Sequence, residues 1–351
     1  MTTPNKKPGA SRWNRRTFLK AGLALGGLAL GFRWLFKPIE KVITDLFPLE
    51  KANEGHATFI GKIGSYNKDV TSVILHGLKE LGIGPNEMRG KRILLKPNLV
   101  ETQRNALHIN THPMVVQGAI HAFLKLGAKS VIVAEGPGHC RDTLLVLEES
   151  GMGEVLHGER IPFVDLNYAG CYEVPNVTRL SPIPQFSFPA LLQSVDWIVS
   201  MPKMKTHHWA GVTLSLKNLF GVMPGSFYGW PKNVLHWAGI EPCIIDINAT
   251  LHPHFAIVDG IVGMEGDGPI MGVPKPVGVI VMGRNLTSVD ATCVRIMGID
   301  PRRVPHLKLA SIGLGPIKGR QIHQRGEVIG SVRTPFALEN HIPAMKQLKE
   351  A

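Results

Sequence analysis

From residue 57 onward, the apolar positions switch repeatedly between short continuous runs and the three-to-four-residue spacing of amphipathic helices. Residues 92–97 and 130–134 are apolar runs that end at proline or at a glycine-rich turn, which is typical of buried strands. Residues 69–81 place apolar side chains on one helical face and end at Gly82, so they predict a helix. The other predicted strands are 57–63, 195–202, 255–258 and 277–282, and the other predicted helices are 113–126, 212–220, 242–251 and 287–297.

The order of these elements predicts the fold class. Strands that alternate with helices favour a parallel sheet that is covered by helices on both faces. We therefore expect an α/β fold with a mostly parallel sheet, built as one lobe or as two. Residues 161–189 are rich in proline, and they predict either a loop-rich insertion or short antiparallel strands.

Charged and polar side chains follow several predicted strands, at the point where each strand ends. The carboxyl ends of parallel strands meet at one edge of a sheet, where α/β proteins bind their ligands. These side chains therefore predict one crevice in which a lysine-rich wall faces an acidic, glycine-rich loop. The basic and histidine members are Lys96, Lys203, Lys205, Lys217, His207 and His236, and the remaining members are Asn98, Asn218, Asp259 and Glu265.

The residue types of this predicted crevice indicate several kinds of chemistry. Lysine ammonium groups bind phosphate or carboxylate, and histidine carries protons near neutral pH. Carboxylates act as acid or base, or hold a hard divalent cation, so a divalent metal is one candidate for an otherwise unknown cofactor. The chain contains no glycine-rich nucleotide motif and no H-E-x-x-H zinc motif. Each of these side chains, taken alone, is also typical of a solvated surface position.

The positive charge of the chain is concentrated near its N-terminus. The chain has 39 Lys and Arg against 27 Asp and Glu, a net charge of +12. Residues 1–41 contain nine basic residues and one acidic residue, whereas the rest of the chain has 30 basic and 26 acidic residues. The body of the protein therefore has only a small positive excess, and nucleic-acid binding is not expected.

The N-terminal segment resembles a twin-arginine export signal, in which an arginine pair precedes a weakly apolar run. The residues that carry this resemblance are Arg15, Arg16, Phe18, Leu19 and Lys20. The alternative interpretation is a basic arm that precedes a short buried helix. The signal implies the twin-arginine translocase as a partner, and a location in the periplasm or on the outer face of the inner membrane.

The apolar run of this segment allows two outcomes after export, which are cleavage of the signal and its retention as a membrane anchor. Residues 21–31 form a run shorter than the ~20 residues that a spanning helix needs. Aromatic and basic residues follow at 32–37, and they are typical of a membrane interface. An uncleaved anchor is therefore an alternative to a released protein.

The cysteines do not predict a metal cluster. The chain has four of them, Cys140, Cys171, Cys243 and Cys293, and no two form a C-x-x-C pair. This spacing does not fit an iron–sulfur cluster or a zinc knuckle, so we do not expect an iron–sulfur cluster. A protein that folds before export is also not expected to depend on a disulfide framework.

Several of the same segments, taken in order, resemble the domain-of-unknown-function family 362 (DUF362) over roughly residues 55–330. The segments are Leu94-Leu95-Lys96-Pro97-Asn98, Thr111-His112-Pro113, residues 196–207, residues 211–221, Val258-Asp259-Gly260, residues 265–269 and Asp290-Ala291. The resemblance predicts a signal or anchor with a linker at 1–41, an α/β domain at 55–330 and a C-terminal tail at 331–351.

The resemblance implies little about the reaction, because the family has no single established activity. Many members carry an appended ferredoxin-like domain, whose cysteines this chain lacks. The fold of the family is distantly similar to that of the lactate racemase group, whose members act on hydroxy acids. The resemblance implies neither a nickel cofactor nor a particular catalytic residue in this chain.

The leading functional hypothesis is an exported enzyme that acts on a small anionic molecule, a carboxylate or a phosphate. In this hypothesis the lysines and the two asparagines bind the anion, His207 or His236 moves a proton, and Asp259 and Glu265 supply a base or a metal ligand. The alternative is a non-catalytic protein of the cell envelope that binds a ligand or helps to assemble a cofactor.

Overall fold

The computed structural model describes residues 56–139 and 142–349. Its strands are β1 (Ala57–Lys62), β2 (Arg92–Pro97), β3 (Ser130–Glu135), β4 (Phe163–Asp165), β5 (Cys171–Pro175), β6 (Gln185–Pro189), β7 (Trp197–Met201), β8 (Lys203–His207), β9 (Gly211–Thr213), β10 (Phe255–Glu265), β11 (Val273–Gly283) and β12 (His323–Gly326).

The α-helices of the same residues are mostly short. They are α1 (Val70–Glu80), α2 (Pro85–Met88), α3 (Pro113–Lys125), α4 (Thr143–Glu149), α5 (Met152–Gly158), α6 (Ser215–Asn218), α7 (Gly225–Tyr228), α8 (Asn233–Trp237), α9 (Ile240–Leu251), α10 (Leu286–Ile296), α11 (Pro305–Ala310), α12 (Ile329–Val332) and α13 (Pro343–Lys349). Single 3₁₀ turns lie at 190–194, 219–222, 301–303 and 319–321.

Most strands belong to one mixed sheet with the order β12-β1-β11-β10-β7-β2-β3-β4. The block from β10 through β7, β2 and β3 to β4 is parallel throughout, and β11 is antiparallel to both of its neighbours. Strand β8 continues the chain after β7, pairs in parallel with β10 and carries the antiparallel strand β9. The prediction of an α/β fold with a mostly parallel sheet is therefore confirmed.

Both faces of this sheet are buried. Along β2, Leu94 contributes to one apolar cluster, whereas its neighbours Ile93 and Leu95 contribute to the other, as the alternation of a strand requires. Helices α1 and α3 supply the second cluster, and α9 and α10 supply the first. The helices cover both faces, which explains why the strands are continuous apolar runs.

Three segments differ from the pattern-based prediction. The predicted strand at 195–202 is followed by a second strand, Lys203–His207, and β10 extends from the predicted strand at 255–258 through the predicted acidic loop as far as Glu265. The predicted helix at 212–220 begins as strand β9 and becomes helical only at Ser215. The prediction was wrong here because tertiary contacts satisfy the lysine side chains of β8, and strand preference depends on such contacts.

The proline-rich segment is built from short strands. Strands β5 and β6 form a separate antiparallel pair, which is one of the two arrangements that the sequence allowed. At the other end of the chain, Met345 and Leu348 of α13 are buried, so the segment after residue 330 packs on the domain. The described residues all lie in one compact unit.

The predicted export signal at 1–41 lies outside the described residues. Within residues 56–139 and 142–349, no helix combines the length and the hydropathy that a membrane span requires.

Candidate functional site

A cavity of about 220 Å³ lies beside the carboxyl ends of β2 and β3 and along β8. A water molecule occupies about 30 Å³ in the liquid, so the cavity has room for a small molecule. Of the residues that the sequence predicted for a site, seven line this cavity: Lys96, Asn98, Lys205, His207, Lys217, Asn218 and His236. The other three, Lys203, Asp259 and Glu265, are not among the residues that line it.

Lys96 lies at the end of β2 and forms a buried ion pair with Glu135 at the end of the neighbouring strand β3. Its Nζ is 2.5 Å from Glu135 Oε2 and also donates to Asn218 Oδ1 at 2.9 Å and to the Pro97 carbonyl at 2.8 Å. Burial lowers the pKa of Lys96, and the nearby Glu135 carboxylate opposes that shift. The ammonium group of Lys96 is thus fully engaged by the protein.

The short helix α6 is held in place by Asp290 from α10. The Asp290 carboxylate accepts the backbone N–H groups of Ser215 and Leu216 at 2.7 and 3.0 Å. Burial raises the pKa of Asp290 to about 7. Asn218, at the other end of α6, donates through Nδ2 to the Lys96 carbonyl at 3.1 Å. Helix α6 is therefore tied at both ends, and Lys217 is presented to the cavity.

Lys205 extends from β8 to the cavity and is fully buried. Its Nζ donates to the carbonyls of Ile109 and Pro269 at 2.8 and 3.1 Å, and no carboxylate of the described residues forms an ion pair with it. Burial lowers the pKa of Lys205 well below its usual value, and the charges of Lys203 and Lys217 lower it further. A cation in such a position is stabilised by a bound anion.

Lys217 is partly exposed to the cavity, and its Nζ lies 4.0 Å from the centre of the Phe220 ring. Among the described residues it forms neither a hydrogen bond nor an ion pair. Burial lowers the pKa of Lys217 to about 7; the charge of Lys96 acts in the same direction, and Glu135 acts against it.

Lys232 is a fourth lysine of the cavity that the sequence analysis missed. Its backbone has a φ of 69°, in the left-handed region, and its Nζ donates to Asn167 Oδ1 and to the Met223 carbonyl, both at 2.5 Å. Burial lowers the pKa of Lys232 to about 7. No pattern of apolar positions could have indicated this residue, because it lies in a turn before α8.

Two of the histidines that line the cavity, His207 and His236, have opposite hydrogen-bonding states. His207 Nδ1 accepts the backbone N–H groups of Trp209 and Ala210 at 3.0 and 3.2 Å, which assigns the proton to Nε2. His236 Nδ1 lies 3.0 Å from the Lys232 carbonyl, so it is the donor and leaves Nε2 as an acceptor. Burial lowers the pKa of both imidazoles, that of His236 to about 4. At neutral pH, His207 therefore offers an imidazole donor and His236 an imidazole acceptor.

The cavity has more polar hydrogen-bonding capacity than the protein uses. Thr213 Oγ1 and Asn98 Oδ1 are buried atoms of lining residues, and neither has a hydrogen-bond partner within the described part of the chain. Buried polar atoms are almost always paired in folded proteins. In addition, four lysines line the cavity, and Glu135 is its only carboxylate among the described residues. The site is therefore complementary in charge to an anion.

Lys203 and Asp259 meet in a separate buried network. They are register partners in the parallel strands β8 and β10, and Lys203 Nζ lies 2.6 Å from Asp259 Oδ2. The Tyr66 hydroxyl accepts from Lys203 at 2.9 Å and donates to Asp259 Oδ1 at 3.0 Å. Burial raises the pKa of Tyr66 and lowers that of Lys203. Each charged atom has protein partners, so this network joins β8 and β10 to the loop after β1, and its residues do not line the cavity.

Glu265 lies at the end of β10 and contacts the C-terminal segment. Its carboxylate pairs with Lys275 at 3.0 Å and accepts the Ala337 backbone N–H at 2.7 Å. These contacts fasten residues near 337 to the sheet. In residues 56–139 and 142–349 there is no group of three or more His, Cys, Asp or Glu side chains arranged to hold a metal ion.

The family model for a domain of unknown function, DUF362, matches residues 93–295 of this chain. The chain belongs to the DUF362 family. The matched range contains the cavity lysines, the cavity histidines and the Lys203–Asp259 pair. It therefore covers all of the geometry described above except Tyr66 and the C-terminal contacts.

A curated relative is a thylakoid-associated protein of a Synechocystis strain, which is 28% identical over 272 residues, 73% of this chain and 80% of the relative. Among solved structures, the apoprotein of lactate racemase from Thermoanaerobacterium thermosaccharolyticum matches at 13% identity with a TM-score of 0.46, over 71% of this chain and 58% of that one. A Thermotoga maritima protein matches at 16% identity with a TM-score of 0.38, over 64% of this chain and 59% of that one. The chain thus spans less than two thirds of the solved chains that it matches.

Proposed function

We propose that this DUF362 protein binds a small carboxylate or phosphate in the lysine-lined cavity and acts on it as an enzyme. The observation that carries the proposal is the charge imbalance around the cavity, where four lysines face one carboxylate of the described residues. The ammonium group of Lys96 already forms an ion pair with that carboxylate. The other three lysines form no ion pair with a carboxylate of the described residues, and an anion that enters from solvent would stabilise their ammonium forms against the effect of burial.

The burial of Lys205 gives this proposal an energetic basis. Removing a cation from water destabilises the fold unless a counter-charge and hydrogen bonds compensate it. Two backbone carbonyls supply only part of that compensation at Lys205. An anion in the cavity supplies the rest, and Thr213 and Asn98 offer additional hydrogen bonds to it. Binding of an anion would therefore offset part of the cost of burying the Lys205 ammonium group.

The histidines add the means to move a proton. His236 Nε2 is an acceptor at neutral pH, so it is suited to be a general base, and His207 Nε2–H is suited to hydrogen-bond a developing negative charge. Asp259 and Glu265 have no place in this step, because their carboxylates are bound to Lys203 and Lys275 away from the cavity.

We further propose that the protein works outside the inner membrane. The support is the sequence Arg15-Arg16 followed by Phe18-Leu19-Lys20, which resembles a twin-arginine signal. The Synechocystis relative is named for its association with a thylakoid, which is a membrane system. Export through the twin-arginine translocase also agrees with a domain that folds around buried lysine pairs before it moves.

The test is a screen of small carboxylates and phosphates by thermal shift, followed by an NMR assay for turnover of each compound that stabilises the full chain. Metal content of the purified protein is measured in the same preparation. A stabilising anion that is converted supports an enzyme, whereas a stabilising anion that is returned unchanged favours the non-catalytic alternative. If no small carboxylate or phosphate raises the melting temperature, the anion site does not exist.

A further inference from the structure

We propose that Lys217 is a covalent catalytic residue that forms an imine with a carbonyl group of the bound anion. This proposal rests on the proposed function, because it needs the anion in the cavity. It identifies the substrate class as a small molecule that carries both a carbonyl group and an anionic group. The geometry that supports it is the contrast between Lys217 and the other lysines of the cavity.

The other three ammonium groups are each held by protein acceptors. Lys96 is bound by Glu135 and Asn218, Lys205 by two carbonyls, and Lys232 by an amide oxygen and a carbonyl. These groups bind and position an anion, but their nitrogen atoms are not free to attack it. Lys217 has no such acceptor among the described residues and is also partly exposed to the cavity.

The surroundings of Lys217 keep its amine reactive. Its Nζ lies over the Phe220 ring, and the His236 ring packs against the same Phe220 at 5.6 Å between centres. The charged and titratable groups that face Lys217 or share its cavity are Lys96, Glu135, His139, Lys205, His207, His208, Lys232, His236 and the buried His306 of α11. Only one of them is a carboxylate, so this environment disfavours the ammonium form and favours the free amine.

The reaction step balances within the cavity. The Lys217 nitrogen forms a bond to the carbonyl carbon, and the π electrons of the carbonyl move to its oxygen. The two protons that leave nitrogen are transferred to that oxygen, which departs as water and leaves a C=N bond. His236 Nε2 is the acceptor that carries protons from nitrogen to oxygen, and no oxidant or reductant is required.

The test uses reductive trapping of the full chain. The protein is incubated at pH 7 with pyruvate or with glycolaldehyde phosphate, cyanoborohydride is added, and labelled lysines are located by peptide mass spectrometry. The two probes distinguish a carboxylate from a phosphate as the anionic group. Acetone, which has a carbonyl but no charge, is the matched negative probe, and Lys308 on the exposed face of α11 is the internal reference lysine.

At pH 7 a lysine with a pKa of about 7 is half free amine, whereas an ordinary lysine is free in roughly one molecule of 2,500. Lower intrinsic nucleophilicity offsets part of this difference. We expect one of the anionic probes to label Lys217 at least about tenfold faster than Lys308, and acetone to show no such preference. Acetate or phosphate should compete with the label.

Two outcomes overturn the proposal. In one, Lys217 is labelled no faster than Lys308. In the other, Lys217→Arg, which keeps the side chain's length and charge, leaves the label in the cavity unchanged. If the anions still stabilise the protein in the thermal-shift screen, only the proposal of an imine at Lys217 is contradicted. If they do not, the proposed function itself has failed.

Discussion

Gly221 leaves no room for a side chain against Glu135: a Cβ atom at position 221 would overlap Glu135 Oε1 and would come within 2.5 Å of Lys96 Nζ. The Gly221 carbonyl also accepts the Gly136 backbone N–H at 3.0 Å. The segment after α6 is therefore pressed directly onto the buried ion pair that closes one wall of the cavity.

Replacement of Gly221 by alanine should separate this ion pair. Because Lys96 and Glu135 are buried with few alternative positions, we expect Gly221→Ala to lower the free energy of unfolding by about 2–4 kcal/mol. Gly158→Ala is the matched control, since a Cβ atom there meets nothing within 4 Å at the end of α5. The control should be neutral or more stable by up to about 1 kcal/mol. Equal urea midpoints for the two variants would show that the contact is unimportant.

Asp259 should be required for the stability of the folded protein and not for anion binding. Asp259→Asn leaves Lys203 buried without a carboxylate, which should lower the free energy of unfolding by about 3–5 kcal/mol. Glu154→Gln is the control, because it breaks an exposed ion pair with Arg104. It should change the free energy of unfolding by about 1 kcal/mol or less. Folded Asp259→Asn protein should bind anions as the parent chain does. A selective loss of anion binding in a stable variant would instead place Asp259 in the site.

The sequence predicted much of this arrangement because the carboxyl ends of parallel strands converge. That rule placed Lys96 near Lys205 and Lys203 near Asp259; the first two side chains line one cavity, and the last two are register partners in β8 and β10. The rule could not predict that Lys203 and Lys205, which are about 7 Å apart along one strand, have different environments. Lys205 lines the cavity, whereas Lys203 lies in the network with Asp259. That separation depends on Tyr66, a residue of a distant loop that no local pattern connects to β8.

Glu135 illustrates a second limit of pattern-based prediction. The sequence places it at the end of an apolar strand, yet its pairing with Lys96 follows from the side-by-side position of β2 and β3. Strand order is a long-range property, and apolar periodicity carries no information about it. Lys232 was missed for the same reason, because a turn brings it to the cavity.

Asp290 should give the protein a distinctive dependence of stability on pH. Its folded pKa is raised to about 7, while the unfolded carboxyl titrates near 3.8. The folded state therefore holds a proton that the unfolded state has lost. The resulting stability is fully present below about pH 4 and is lost as the pH rises through about 7, on the order of 3–4 kcal/mol in total.

The measurement is the difference in urea-unfolding free energy between the parent chain and Asp290→Asn, taken every half pH unit from about 4 to 8. Asparagine cannot titrate, so the advantage of the parent chain should shrink as the pH rises to about 7 and should be level above it. An advantage that is constant or grows with pH would show that Asp290 is ionised in the folded protein.

Export is tested by replacing both Arg15 and Arg16 with lysine. This exchange keeps the positive charge and removes the arginine pair that the translocase receptor is expected to recognise. The variant should remain full length and folded in the cytoplasm, while the parent chain reaches the periplasm or its membrane surface. Cell fractionation with a cytoplasmic marker measures where each of the two proteins is located. Normal export of the lysine variant would contradict the twin-arginine assignment.

Lys205→Met tests the central claim that the cavity is an anion site. Methionine keeps the apolar stem and removes a buried charge that has no carboxylate partner among the described residues, so the variant should be at least as stable as the parent chain. Binding should weaken by about 1–3 kcal/mol, or roughly five- to 150-fold, and should depend less on salt. Lys308→Met, on an exposed face, is the control and should bind normally.

The decisive measurement is therefore calorimetric titration of the parent chain, Lys205→Met and Lys308→Met with pyruvate and with inorganic phosphate at low and high salt, alongside their unfolding free energies. An anion site predicts that at least one of the two anions binds the parent chain and Lys308→Met alike, and binds Lys205→Met much more weakly although that variant is no less stable. Equal binding by all three proteins, or no binding of either anion by the parent chain, would contradict the account.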